Sequence, residues 1–258
     1  MPSFAVSIGL LGLFQAALVA APGPLPALPL EGLRSRWWAL VPAGSIVVVI
    51  AIVGLDDDSA QAFSYLALVA VPPLAGLALA LVVRGSRPVW ALSVVPLFAL
   101  AWAARSSLLG EGAATALSGL ACLALGWPLV ALVPERWLRL GVYAMALIDT
   151  CLIAADLLQG PNSVLSGAAP GGELPRLQVA HFGSAQMGFG DLFVAALVGC
   201  MLAADPRRQR RAAVGVLALA LAFDLLFFAV DELPATVPVA VALALASSSG
   251  RLRRRRPA

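Results

Sequence analysis

The sequence predicts an all-α fold, a polytopic membrane protein with about nine transmembrane helices. Three observations carry that prediction. Of the 258 residues, 61% are hydrophobic and only 12% charged, with a mean hydropathy of +0.93. Soluble domains hold about half apolar and about a quarter charged residues, so soluble enzyme folds are excluded. The apolar residues also gather into stretches close to the ~20 residues that cross ~30 Å of hydrocarbon. Finally, the basic residues alternate between successive connections in a pattern that fixes a topology.

The apolar stretches run roughly over 3–21, 37–54, 62–83, 88–103, 115–133, 138–158, 178–203, 212–230 and 233–248. The first lacks the basic leader of a cleavable signal, since Met1 to Gly9 holds no Arg, and reads as a retained span. Trp37, Trp38, Trp90 and Trp137 fall near predicted ends, where interfacial anchors sit. All 17 basic residues are Arg. Fifteen of them follow spans 1, 3, 5 and 7 or lie in the tail Arg251 and Arg253 to Arg256, against Arg105 and Arg176 on the other side. The positive-inside rule then gives a multi-pass inner-membrane protein with its N-terminus outside and its C-terminus in the cytoplasm. The acidic run Asp56, Asp57, Asp58 falls outside. The basic tail reads as topology signal and contact with the lipid bilayer, and implies no nucleic-acid partner.

One connection is long. Residues 159–177, QGPNSVLSGAAPGGELPRL, form a Gly-, Pro- and Ser-rich extracytoplasmic loop between spans 6 and 7. A loop of that length in a tight bundle is more often functional than not.

Four carboxylates interrupt the spans: Asp149 and Asp156 in the sixth, Asp191 in the seventh and Asp224 in the eighth. A carboxylate at a helix centre costs at least ~2.5 kcal/mol on insertion scales, so each needs a use or a partner. The bland alternative is a neutral carboxyl hydrogen-bonded between helices. A rise of ~1.5 Å per residue puts Asp149, Asp191 and Asp224 about 17–18 Å from the cytoplasmic ends of their spans, near the midplane. Asp156 sits about 10 Å further out, at a rim or the interface.

Around Asp191 the chain reads Met187-Gly188-Phe189-Gly190-Asp191. Two glycines ahead of a midplane carboxylate leave room for another backbone and weaken the helix there. By itself this is also what small-residue helix packing looks like. It stands, however, with a second aspartate at matching depth in the preceding helix and with Pro234, which cannot donate a backbone hydrogen bond and favours an irregular entry to span 9.

These residues resemble the presenilin and signal peptide peptidase family of GxGD intramembrane aspartyl proteases. MGFGDLFVAALVG, residues 187–199, is similar to the family's GxGD helix. Asp149 in ALIDTCLIA matches the first aspartate, and Pro234-Ala235 in ELPATVPVA matches the PAL motif. The likeness covers roughly 138–248 and amounts to span count before that. It departs at Ile148, where the family usually has Tyr, and at Thr236, which replaces the PAL leucine.

The resemblance implies a presenilin-like bundle in which residues 1–133 form a five-helix scaffold. Residues 134–258 then carry catalytic helices 6–9, the 159–177 loop and the basic tail. It implies a catalytic pair, Asp149 and Asp191, and a substrate-binding set of Gly188, Phe189, Gly190, Pro234, Ala235 and Thr236. The family's PAL segment holds an unwound substrate by strand addition, and the 159–177 loop is the natural place for a substrate-induced strand on the other side. The chemistry is consistent with the residues. Peptide hydrolysis needs a base for water and an acid for the leaving amine, and two adjacent carboxyls sharing one proton supply both. A helical substrate must also unwind inside a protein-lined, hydrated cavity. With the orientation above, the expected partners are transmembrane helical peptides of type II orientation, such as remnant signal peptides. The loop is too short for presenilin-like autoproteolysis, so an uncut chain is expected.

Other readings start from the same residues. Midplane carboxylates also suit a proton-coupled transporter or channel, which the absence of a recognisable repeat disfavours. A type IV prepilin peptidase shares the GxGD signature but usually follows it with a basic residue, where Leu192-Phe193-Val194 is apolar here. Ile148 and Thr236 also suit an inactive relative that binds helices without cutting them. Asp224 has no counterpart in the family's pattern. Cys122, Cys151 and Cys200 read as small apolar groups, and His181, the only histidine, as an interfacial packing residue. No cofactor, metal or nucleotide motif can be assembled.

Overall fold

The computed structural model of the chain describes residues 2–55, 57–155, 157, 164, 167–171, 173–228, 230 and 233–254. Asp56, Asp156 and much of the 159–177 loop lie outside the described residues. The helices among them are α1 (Phe4–Ala20), α2 (Leu40–Leu55), α3 (Asp57–Leu77), α4 (Val94–Ala103), α5 (Leu108–Leu132), α6 (Glu135–Ala154), α7 (Phe189–Leu202), α8 (Pro206–Asp224) and α9 (Thr236–Arg254). Each of the predicted stretches contains helix among the described residues, the seventh only from Phe189 onward. Among the described residues three segments are long and apolar enough to cross a membrane: Ser59–Val82, Leu108–Leu132 and Glu135–Ala154. Around them the outer surface is apolar, with Val69, Leu109 and Leu147 at 73%, 71% and 65% exposure. A surface of that kind suits hydrocarbon rather than water.

Helix boundaries follow local chemistry more than hydropathy. α5 begins seven residues before the predicted span because Ser107 caps it, accepting from Gly110 N at 3.3 Å, with Glu111 in the first turn. α8 likewise starts early, since Asp205 accepts from Arg207 N and Arg208 N at 3.1 Å and Pro206 takes the first helical position. Its first turns therefore carry the arginines. α3 runs through Pro72 and Pro73 and finishes in a π-helical turn, Ala78–Val82.

The largest departure from the all-α, continuous-span expectation is at span 7. Residues 178–188 are not helical. Val179–Phe182 (β1) and Ala185–Gly188 (β2) pair antiparallel, with Ala180 opposite Met187 and His181 opposite Gln186. Gly183 makes the turn at φ +63, in the first of two loop positions, where an L side chain is strained. Ala180, Ala185 and Met187 are buried while His181 and Gln186 are exposed, a period of two rather than 3.6. His181, Ser184 and Gln186 break the apolar run that hydropathy averages over. The paired strands thus lie just after the 159–177 loop rather than within it.

α5 is the central post and packs most extensively on α7, α3 and α4; α1 lies against α7 and α8, and α9 against α8, α6 and α7. The α1–α7 contact is backbone-close, because a Cβ on Gly199 would lie 2.7 Å from Leu18 O and 2.9 Å from Val19 O. Gly199→Ala is therefore expected to cost about 1–3 kcal/mol through forced separation of the helices. A lowered midpoint in thermal unfolding of the purified protein checks this; an unchanged midpoint would refute the close contact.

Candidate functional site

The site forms where three chain segments meet: the end of α6, the start of α7 and the start of α9. Asp149 lies five residues before the end of α6. Asp191 is the third residue of α7, and Gly188, the last residue of β2, is that helix's N-cap. The Asp191 Oδ2 accepts from Gly188 N at 3.1 Å, the carboxylate half of a capping box. Asp191 is thus not in mid-helix, as hydropathy suggested, but at a helix start. Both carboxyls are half-buried.

The third segment completes the pair. Thr236, 3% exposed at the start of α9, donates its hydroxyl to Asp149 Oδ2 at 2.7 Å. Thr236 therefore lies on the Asp149 carboxyl. Pro234 is buried, and Ala235 is half-buried. Gly188 is exposed, and among the described residues nothing outside the helix's own backbone lies within 4 Å of where a Cβ on Gly190 would stand. Phe189 is half-buried, and its carbonyl is approached by Cys122 Sγ of α5 at 3.8 Å.

Removal of the Thr236 hydroxyl is expected to matter through Asp149 alone. On the peptidase activity expected from the sequence, Thr236→Val should lower kcat about tenfold with KM little changed, since hydrogen bonds to carboxylates are among the stronger ones. Thr236→Ser, which keeps the donor, should restore most of it. A KM effect without a kcat effect would assign Thr236 to substrate binding instead.

Sequence reasoning missed the residue that ties the site together. Gln15 of α1 is 1% exposed, and its Nε2 donates to Asp191 O at 3.4 Å and Ala235 O at 3.2 Å. One amide thus spans from the GxGD helix to the segment before α9. The signal was present: a lone Gln inside a 17-residue apolar helix is a polar group that needs a partner.

α5 supplies the other support. Glu111, Thr115, Ser118 and Cys122 recur along one helical face, and each touches the hairpin or its flanks. Glu111 Oε2 accepts from Gly183 N at 2.6 Å, and its Oε1 lies 3.3 Å from His181 Nδ1. Thr115 Oγ1 donates to His181 O at 3.3 Å and Ser118 Oγ to Leu177 O at 2.8 Å. His181 and Cys122, read from sequence as packing groups, are thus part of this scaffold. The approach to the hairpin is tied down as well. Arg105 grips the Glu173 carboxylate through both amino groups at 2.9 Å, and the Tyr65 hydroxyl accepts from Gly171 N at 2.9 Å. Hydrogen bonding and then charge from Arg105 hold the Glu173 carboxyl below its usual range. The tie is therefore present at neutral pH and lost as pH falls through that lowered range, and its full exposure keeps its contribution small.

Asp224 closes α8; its Oδ2 is buried and has no hydrogen bond among the described residues. Among the described residues no three His, Cys, Asp or Glu side chains gather as metal ligands would. Comparison with protein-family models, curated proteins and solved structures finds no match for this chain.

Proposed function

We propose that this protein is an intramembrane aspartyl endopeptidase whose catalytic pair is Asp149 and Asp191. The observation that carries the reading is the junction that ties these two carboxyls together from different helices: Thr236 on Asp149, and the Gln15 amide shared by the carbonyls of Asp191 and Ala235. One carboxylate takes a proton from water as it attacks the scissile carbonyl; the other carboxyl protonates the departing amine as the C–N bond breaks. The products are a new carboxyl and a new amine, and the pair shares one proton again at the end. The Thr236 hydroxyl orients Asp149, and Gln15 fixes the backbone on which Asp191 and Ala235 sit.

The resemblance to presenilins and signal peptide peptidases supports the same assignment and adds the finer expectations. These are nine spans, an outside N-terminus, a cytoplasmic C-terminus and type II transmembrane segments as substrates. Gly188, Phe189, Gly190 and the segment Pro234-Ala235 would flank the unwound strand. The β1–β2 hairpin, directly ahead of α7, is where that strand would pair.

The reading is tested with purified protein in lipid and a tagged type II signal-peptide remnant. Cleavage within the apolar stretch, blocked by a transition-state-mimic inhibitor, is the expected result. Intact substrate across a panel of type II and type I segments would overturn it.

A further inference from the structure

The α6–α9 pair that joins Asp149 to Thr236 has a second feature at its opposite end. There Arg136, Arg139, Leu140 and Tyr143 of α6 and Ala244 and Ser247 of α9 line a cleft of about 380 Å³. Arg139 gives one amino group to Glu135, yet its Nε is buried and has no hydrogen-bond partner among the described residues. A buried guanidinium N–H without an acceptor calls for a ligand that supplies one. Arg136 is exposed beside it, so among the described residues the cleft holds two cations against the carboxylate of Glu135.

Its level is marked by Trp137, whose ring has the Arg36 and Arg136 guanidinium carbons 5.9 and 5.7 Å from its centre. A Trp with flanking arginines belongs at a headgroup boundary. The cleft is not a polar pit: Leu140 is 54% exposed and Ala244 is exposed beside it, so one wall is apolar and faces outward from the helix pair. An occupant must therefore combine an anionic oxygen for Arg139 and Arg136 with hydrocarbon for Leu140 and Ala244.

We infer that the cleft between α6 and α9 binds the phosphate of an anionic phospholipid, with Arg139 and Arg136 on its oxygens and an acyl chain along Leu140 and Ala244. The fork geometry of arginine suits phosphate oxygens. The inference stands on this cleft and does not rest on the protease reading. If that reading holds as well, the lipid clamps one end of the helix pair whose other end, about 15 Å away along α6, holds the Asp149–Thr236 bond.

The test uses the purified full chain, exchanged into vesicles or mixed micelles of phosphatidylcholine containing a minor share of phosphatidylglycerol. Retained lipid is then counted by native mass spectrometry. The parent is expected to keep phosphatidylglycerol selectively, and Arg139→Gln and Arg136→Gln to lose about tenfold of that retention. Arg210→Gln, an exposed arginine at the start of α8, should retain it. Arg136 is exposed, so its variant keeps the test decisive should Arg139→Gln fail to fold. Equal loss in Arg210→Gln would overturn the site in favour of general surface charge. Full displacement of the lipid by millimolar inorganic phosphate would overturn the lipid assignment and make free phosphate the occupant.

Discussion

Asp191→Asn and Asp149→Asn are each expected to lower peptide cleavage by about 10³-fold or more, while Asp224→Asn leaves it within about twofold. The asymmetry follows from where the three carboxyls sit. Asp149 and Asp191 are tied into one junction through Thr236, Ala235 and the Gln15 amide, whereas Asp224 ends α8 and its Oδ2 has no hydrogen-bond partner among the described residues. Asparagine is the informative substitution at 191. Its amide oxygen still accepts the Gly188 N–H, so the start of α7 keeps its cap, and only the ability to exchange a proton is removed. Alanine would remove both and confound lost chemistry with a frayed helix. Rates on a tagged type II segment, with thermal unfolding of each variant as the control for folding, check this. Equal activity of all four proteins would remove the pair from the mechanism.

Gln15→Leu is expected to have the second-largest effect. The substitution keeps the volume of the α1 side chain but withdraws the donor from both the Asp191 and the Ala235 carbonyl. Two acceptors in an apolar interior are then left without this donor, a cost of about 1–3 kcal/mol. The greater consequence is geometric, because Ala235 precedes the Thr236 that orients Asp149, and Asp191 is the other half of the pair. Loosening both together should lower kcat about 10- to 100-fold, as displacements near 1 Å do in acid–base sites. Gln15→Glu retains an acceptor but not the amide donor and should behave like the leucine variant. A fall in thermal stability with kcat unchanged would make Gln15 a packing residue only.

Much of this arrangement was legible in the sequence, for physical reasons that differ by residue. Asp149 and Asp191 stood out because a carboxylate in an apolar stretch is costly, and equal depth in consecutive antiparallel helices makes a meeting natural. Gly188 and Gly190 were legible as a weak point, and the structure turns that weakness into a strand-to-helix junction. The hairpin itself was hidden. Its residues, Val179 to Gly188, are nearly as apolar as a span, and averaging over a window erases the two-residue alternation that separates strand from helix. The Thr236 contact was hidden differently: departure from the PAL pattern looked like a change at a binding face, and only tertiary placement makes it a donor to Asp149. Gln15 is the instructive omission. It carried the same signal as the aspartates, a polar group in hydrocarbon, but without a charge to draw notice.

The caps show a further limit. Hydropathy put the start of span 8 at residue 212, whereas Asp205 and Pro206 begin α8 six residues earlier, in the arginine-rich stretch. Local capping rules set helix ends, while hydropathy sets only which part of a helix lies in lipid.

The central claim, that Asp149 and Asp191 form one acid–base pair, is tested most directly by binding of a hydroxyl-bearing transition-state mimic. The ligand needs no knowledge of the natural substrate. The parent, Asp149→Asn, Asp191→Asn and Asp224→Asn are compared in the same lipid with a photoreactive form of the mimic. The account predicts specific, competable labelling of the parent and of Asp224→Asn, and a loss of at least about tenfold in affinity for the other two. Equal labelling of all four proteins, or labelling that unlabelled mimic fails to displace, would contradict it.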